Sequence, residues 1–132
     1  MRKSVIAMAA LAALVGGACG SGGGSSSDGG ASAGGCTAAT ATDLTGDNPF
    51  TVTMKDLAFH PSCFSAKNNS TIKLENQDTV NHTFTIIGTG VDVLVPAGQT
   101  LSKPGANLAP ATYQFHCTIH TQMTGTLIVV AG

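Results

Sequence analysis

Three residues with soft or borderline donor atoms lie close together near the C-terminus: Cys117, His120 and Met123. A cysteine thiolate, an imidazole and a thioether are donors that suit copper as it cycles between its two oxidation states. One thiolate and two imidazoles in a trigonal set, with a weak axial thioether, form the ligand set of a blue-copper electron-transfer site. The spacing therefore predicts three copper ligands on one loop and requires a second imidazole from elsewhere.

His82 is the histidine that fits this requirement. It begins the alternating segment 82–86 and follows the turn-like sequence Asn76-Gln-Asp78. A β-sandwich can bring the start of that strand beside the end of the strand that carries Cys117. One distant ligand and three ligands on a single loop would leave the site little freedom, as rapid electron transfer requires.

Several short segments alternate apolar and polar residues, which is typical of half-buried strands. They lie at residues 50–54, 71–75, 82–86, 113–115 and 126–130. Turn-forming residues separate them at 68–69, 88–90, 96–98, 104–105 and 110. Between residues 36 and 132 no segment sustains the three-and-four spacing of an amphipathic helix. The pattern predicts an all-β domain, a Greek-key β-sandwich of about 95 residues.

The loop from Cys117 to Met123 resembles the copper loop of the cupredoxin family, which includes plastocyanin and amicyanin; its Cys-x-x-His-x-x-Met spacing is that of amicyanin. Residues 52–61, 80–84 and 96–98 resemble the early strands, the first-histidine segment and the mid-domain turn of that family. The resemblance runs from about residue 50 to 131. It implies a cupredoxin fold and one copper ion, Cu(II)/Cu(I). The ligands that it implies are His82, Cys117, His120 and Met123.

The sequence departs from the family pattern near two of these ligands. Many members have Asn directly after the first histidine, where its side chain ties the two ligand segments together. Thr83 stands there, and its hydroxyl can still make such a bond. Family members often have Pro where this chain has Ile119 or Thr121. We expect a somewhat looser site and a shifted reduction potential.

Two further histidines and zinc offer alternative interpretations. By strand alternation His116 points away from Cys117. In copper nitrite reductases a histidine at this position feeds a second copper, but such a site needs more histidines, and only His60 is left. We therefore predict that His116 is a surface or core residue. A closed zinc site is also possible, although zinc prefers a fourth strong donor to a thioether.

Cys36 and Cys63 admit two interpretations. A disulfide between them would stabilise the domain by roughly 3 kcal/mol through loop closure. The alternative is a second metal site that uses Cys63 and His60.

The N-terminus has the layout of a secretory signal. Residues 1–18 combine a basic head, a short apolar run and small residues, which predicts a signal peptide. Cys19 follows and resembles the lipidated cysteine of bacterial lipoproteins; the alternative is cleavage after Ala18 and secretion. Residues 19–35 are rich in Gly and Ser and predict a flexible linker, so the folded domain is assigned to residues 36–132. Either route places the mature chain outside the cytoplasm, and lipidation would anchor it to the membrane.

The charge balance is near neutral, with six Lys and Arg against seven Asp and Glu. Such a chain has no basic field to attract nucleic acid.

Together these features predict a monomeric one-electron carrier rather than an enzyme. Redox partner proteins would dock transiently near His120, on apolar residues such as Ile119 and Pro96-Ala97. The alternatives are a copper-binding or delivery protein and a metal-free interaction domain.

Overall fold

The computed structural model describes residues 35–105 and 107–132. The predicted signal peptide, Cys19 and nearly all of the predicted linker lie outside these residues. The described chain forms ten strands: β1 (Thr42–Asp43), β2 (Phe50–Lys55), β3 (Ala58–His60), β4 (Cys63–Lys67), β5 (Ile72–Asn76), β6 (His82–Ile86), β7 (Asp92–Val95), β8 (Thr100–Lys103), β9 (Ala111–His116) and β10 (Thr124–Val130). Within these residues no helix is long and apolar enough to cross a membrane.

The strands form two sheets. The larger sheet has the order β1-β4-β10-β9-β6-β7, and the smaller one has the order β3-β2-β5-β8. In the larger sheet β4 runs parallel to β1 and β10, whereas the β10-β9, β9-β6 and β6-β7 pairs are antiparallel. The all-β fold predicted from the alternating pattern is confirmed, and the five predicted strands correspond to β2, β5, β6, β9 and β10.

Phenylalanine side chains fill the space between the sheets. All five phenylalanines of the sequence are buried: Phe50, Phe59, Phe64, Phe84 and Phe115. Phe115 contacts three of the others, with ring centroids 4.9 to 5.6 Å apart in tilted or edge-on arrangements. Such pairs stabilise a core beyond the area that they bury. The aromatic core therefore lies directly under β6 and β9, the strands that lead into the predicted metal site.

The predicted ligands lie at one end of the sandwich, called here the metal end. His82 begins β6, Cys117 follows the last residue of β9, and Met123 immediately precedes β10. Because β4 and β10 are parallel and pair Cys63 with Thr126, β4 also begins near this end.

A disulfide joins Cys63 to Cys36, with the sulfur atoms 2.03 Å apart. The predicted pairing is confirmed, and the alternative metal site that uses Cys63 and His60 is wrong. Cys36 precedes β1, so the bond fixes the segment before that strand beside the metal end.

Candidate metal centre

The turn between β9 and β10 is held by its own backbone. His116 and Thr124 face each other as the last pair of the antiparallel ladder. The Cys117 amide then donates to the carbonyl oxygen of Met123 at 3.0 Å, and the Met123 amide donates to that of His120 at 2.9 Å. These bonds give the seven-residue segment 117–123 a compact, fixed shape. Three predicted ligands are thereby presented from one turn.

Three donor atoms converge at this turn. Nδ1 of His82 lies 3.1 Å from Nδ1 of His120, and Sγ of Cys117 lies 3.9 Å from each of these nitrogens. Among the described residues these three side chains form the one cluster of His, Cys, Asp or Glu able to hold a metal ion. The structure therefore brings His82 to the loop, as predicted.

The separations fit a single first-row metal ion. Metal–nitrogen bonds of about 2.0 Å and metal–thiolate bonds of about 2.3 Å sum to about 4.3 Å. This sum exceeds the 3.9 Å between each nitrogen and the sulfur, and two metal–nitrogen bonds exceed the 3.1 Å between the nitrogens. One ion can consequently reach all three donors. Two imidazoles and a thiolate are a donor set that suits copper.

Met123 is the fourth predicted ligand. It lies near the other three residues, and its side chain is buried. Its backbone is bonded to both Cys117 and His120, so its position is tied to theirs. A thioether is a weak, soft donor, which favours copper over a zinc site built from four strong donors.

The environment of Cys117 stabilises its thiolate. Burial raises the pKa of the thiol, but the amide of Thr83 at 3.3 Å and that of His120 at 3.4 Å both donate to the sulfur. With a further bond from the Ile119 amide, the net result is a pKa of about 6. Because the thiolate is the form of cysteine that binds metals, the site is electrostatically prepared for one.

His82 is fully buried and is oriented by a carboxylate. Its Nε2 lies 2.8 Å from Oδ2 of Asp78. An ionised carboxylate only accepts hydrogen bonds, so Nε2 carries the proton. The lone pair of a neutral imidazole then lies on Nδ1, the atom that faces His120 and Cys117. Asp78 thus fixes the tautomer in which His82 can bind a metal.

Asp78 is itself held by a backbone turn. The amides of Asp56 and Leu57 donate to its carboxylate at 2.7 and 3.0 Å. Burial raises the pKa of this carboxyl group, but the bonds from Leu57, His82 and Asp56 outweigh it and leave the pKa below its usual value. Sequence reasoning missed the role of Asp78, which it treated only as part of a turn; the one available signal was an acidic residue four positions before the predicted ligand.

Thr83 ties the two ligand segments together. Its hydroxyl accepts a hydrogen bond from the Thr118 amide at 2.8 Å and lies 3.1 Å from the Thr118 hydroxyl. The expected bond from a hydroxyl at this position is therefore present. The expected looser site and shifted potential stay predictions.

The remaining histidines lie outside the cluster. His116 is half-buried on β9, and its buried Nδ1 has no hydrogen-bond partner among residues 35–105 and 107–132. His60 is exposed, with its Nε2 3.3 Å from the Lys55 carbonyl oxygen. Neither belongs to a group of three metal-binding side chains in the described part of the chain.

Comparison with known proteins identifies the family. The sequence matches the family described as a cupredoxin-like domain over residues 31–129, and the chain belongs to this family. No curated protein sequence is significantly similar to it.

Solved structures share the fold. A mutant of amicyanin in its reduced Cu(I) form at pH 4 is 20 % identical, with a TM-score of 0.53; the match covers 64 % of this chain and 84 % of that one. Another amicyanin mutant, in the oxidised state, gives a TM-score of 0.54 at 20 % identity and the same coverage. A Cu-containing nitrite reductase from Thermus scotoductus SA-01 is 21 % identical, with a TM-score of 0.52. That match covers 64 % of this chain but only 23 % of the nitrite reductase.

Proposed function

We propose that this protein is a mononuclear type 1 copper protein that carries one electron at a time at the cell envelope. Copper would be held by His82, Cys117, His120 and Met123. The observation that carries the proposal is the convergence of two imidazole nitrogens and one thiolate sulfur within 4.8 Å of one another. One amicyanin structure that shares the fold is a reduced Cu(I) form, and another is an oxidised state.

Bound copper would supply a one-electron Cu(II)/Cu(I) couple. The contribution of the chain is to hold one ligand arrangement for both states. Asp78 orients His82, Thr83 holds the Cys117 segment, and the backbone bonds of 117–123 fix the turn. A site that rearranges little when its charge changes exchanges electrons readily. No substrate is transformed in this proposal, so we assign no catalytic residue.

An apolar surface around the metal end supports transient docking of a redox partner. Ile119 is 50 % exposed in the turn between two ligands, and Leu57 and Val80 are 42 % and 41 % exposed in neighbouring turns. Leu57 is attached to the site through Asp78, and the Val80 carbonyl accepts a bond from Asn76 at 2.8 Å. His120 is half-buried and lies next to Ile119. We call Leu57, Val80 and Ile119 the docking face.

Copper titration with absorption spectroscopy tests the site. One equivalent of Cu(II) added to the metal-free protein is expected to give an intense visible band from thiolate-to-copper charge transfer. The Cys117→Ser variant should lose this band, whereas Ser62→Ala, a change beside the disulfide, should keep it. A copper-loaded protein of native fold without the band would overturn the assignment.

Voltammetry separates the carrier from its alternatives. Reversible reduction, with copper retained in both states against a Cu(I) chelator, is expected of a carrier. Ready loss of Cu(I) to the chelator would favour a delivery protein. Absence of any copper binding would favour a metal-free interaction domain.

The location at the envelope depends on Cys19 and is tested separately. Lipidation is expected to place the full chain in the membrane fraction with a lipid-modified N-terminus detectable by mass spectrometry. The Cys19→Ser variant should be released. If the wild-type protein were recovered without lipid, it would be a secreted protein and not a lipid-anchored one.

A further inference from the structure

A buried asparagine holds the loop that carries Asp78. Asn76 is the last residue of β5 and is 2 % exposed. Its side-chain NH₂ group donates to the carbonyl oxygens of Val80 at 2.8 Å and Val95 at 2.9 Å. Its side-chain oxygen accepts a bond from the Asp78 amide at 3.0 Å. Both N–H bonds of the carboxamide and its oxygen therefore have partners.

The backbone around Asn76 gives this side chain a fixed base. β5 is an interior strand of the smaller sheet, between β2 and β8. The Asn76 amide donates to the Gln99 carbonyl oxygen at 2.8 Å, and the Gln77 amide donates to that of Met54 at 2.8 Å. The base of the side chain is thus held on both sides of its strand.

The side-chain bonds connect the Asp78 loop to the strand opposite His82. Asp78 and Val80 lie between β5 and β6, whereas Val95 ends β7 of the larger sheet. In the antiparallel pair of β6 and β7, Val95 is the residue that faces His82. The Asn76 side chain therefore bridges the loop and the strand partner of the ligand, and it fixes where Asp78 lies relative to His82.

The contact between Asp78 and His82 is sensitive to that position. Oδ2 of Asp78 lies 2.8 Å from Nε2 of His82. A displacement of the carboxylate by about 1 Å would carry this pair beyond hydrogen-bond distance. Because Asn76 is buried, water has little access to replace its bonds if the side chain is removed. The backbone groups that it holds would then gain by moving, at the expense of the Asp78–His82 bond.

We propose that Asn76 is a positioning residue for the candidate metal centre, because its side chain sets the Asp78 carboxylate at hydrogen-bond distance from His82. The side-chain bonds of Asn76 go to Asp78, Val80 and Val95, none of which is a candidate ligand, so its effect on His82 passes through Asp78. The significance for copper rests on the proposed function. The position of Asp78 does not, because it is a property of the protein without metal.

The test measures the His82 ring nitrogens by NMR in the metal-free protein. Asn76→Ala removes all three side-chain bonds. The ratio of the Nε2-protonated form of His82 to the Nδ1-protonated form is expected to fall about fivefold, the value of one ordinary hydrogen bond. Asn76→Ser keeps an oxygen that can accept the Asp78 amide, although more weakly than Asn does. Its ratio should therefore lie between those of the wild type and Asn76→Ala, and a wild-type ratio in the folded variants would overturn the proposal.

Asn81→Ala is the matched control. Asn81 lies in the same loop, and its side-chain oxygen accepts the Ala97 amide at 3.0 Å. This variant also loses a bond between the loop and the segment after β7, but that bond does not involve Asp78. The His82 ratio should stay at its wild-type value. An equal fall in Asn81→Ala and Asn76→Ala would mean that general loosening of the loop controls the tautomer, which would contradict the proposal.

Copper affinity supplies a second readout, measured by competition with a chelator. Asn76→Ala is expected to weaken copper binding about fivefold in the wild-type background. In an Asp78→Asn background the loss should be much smaller, because residue 78 no longer supplies the carboxylate that Asn76 positions. An equal loss in the two backgrounds would show that Asn76 acts independently of Asp78 and would contradict the proposal. If the wild-type protein bound no copper, the proposed function would fail, but the His82 ring measurement would still decide the role of Asn76.

Discussion

Asp78 joins three parts of the metal end through one carboxylate. Its Oδ2 receives both the His82 ring and the Leu57 amide, and its Oδ1 receives the Asp56 amide. Asp56 and Leu57 both have left-handed backbone conformations, with φ of 54° and 57°. Such conformations are unfavourable for residues other than glycine, and the two bonds to Asp78 help to offset that cost. The same carboxylate thus supports the turn and the ligand.

Asp78→Asn is expected to weaken copper binding by about 10- to 100-fold, as loss of a partner hydrogen-bonded to a ligand typically does. An amide is a weaker acceptor than a carboxylate. Its NH₂ group can also face Nε2 of His82, so that residue 78 would donate the hydrogen bond instead of accepting it. Competition with a chelator of known affinity measures the change. Asp56→Asn is the control, because Asp56 contacts Asp78 through its backbone amide, which this substitution keeps. Equal affinities for Asp78→Asn and wild type would contradict the assigned role.

The residue types and their spacing predicted the cluster of metal-binding side chains, but they did not predict the residues that hold those side chains in place. Cys117, His120 and Met123 share one loop, and the family resemblance selected His82. Asp78 carries no comparable signal, because an acidic residue in a turn usually serves solubility. Its role depends on contacts with the amides of Asp56 and Leu57, 22 and 21 positions earlier in the chain, and these contacts appear only when the sheets are assembled.

At the scale of elements, alternation revealed five strands but missed β4, an interior strand whose residues also alternate half-buried and buried. β2 and β5 alternate buried and half-buried residues along their length. β7 and β8 lie at sheet edges, and most of their residues are exposed or half-buried. β1 and β3 have only two and three residues. Edge position and short length removed the periodicity on which the prediction of strands depends.

A close approach between β9 and β10 requires one glycine. A Cβ atom added to Gly125 would lie 2.2 Å from Cζ of Phe115 and 2.7 Å from the Ser62 carbonyl oxygen. Phe115 is fully buried among three other rings, so it has little room to move. The glycine therefore allows the core to reach the strand that begins beside Met123.

Gly125→Ala is expected to lower the free energy of unfolding by about 1–3 kcal/mol through overpacking. Denaturant unfolding measures the change. Gly46→Ala is a matched control, because nothing lies within 4 Å of an added Cβ there and its φ is not in the left-handed region. Equal stability of the two variants would contradict this prediction, because it would show that the Phe115 ring can move aside without destabilising the fold.

At the scale of the whole molecule, the features on which the proposed function depends lie at one end. The donor cluster, the docking face and the Cys36–Cys63 disulfide all lie at or beside the metal end. Without the predicted signal peptide, which contains Arg2 and Lys3, the chain carries four basic and seven acidic side chains, a modest net charge. Encounter with a partner would then depend on apolar contact more than on electrostatic steering.

Electron self-exchange between oxidised and reduced copies of this protein tests that view. The rate, measured by NMR line broadening in mixtures of the two forms, is expected to depend only weakly on ionic strength. Ile119→Lys adds a positive charge to both surfaces in the encounter pair and should slow exchange about tenfold at low salt. Added salt should restore part of the rate, because the Debye length falls to about 8 Å at 0.15 M.

Ile87→Lys provides the comparison, since Ile87 is 55 % exposed but follows the end of β6 opposite His82. The two variants have the same net charge, so any difference between them reports where the copies meet. Slow exchange in Ile119→Lys with a normal rate in Ile87→Lys would place the encounter on the docking face. Equal slowing of both variants would mean that net charge controls the encounter, and the docking face would lose its support.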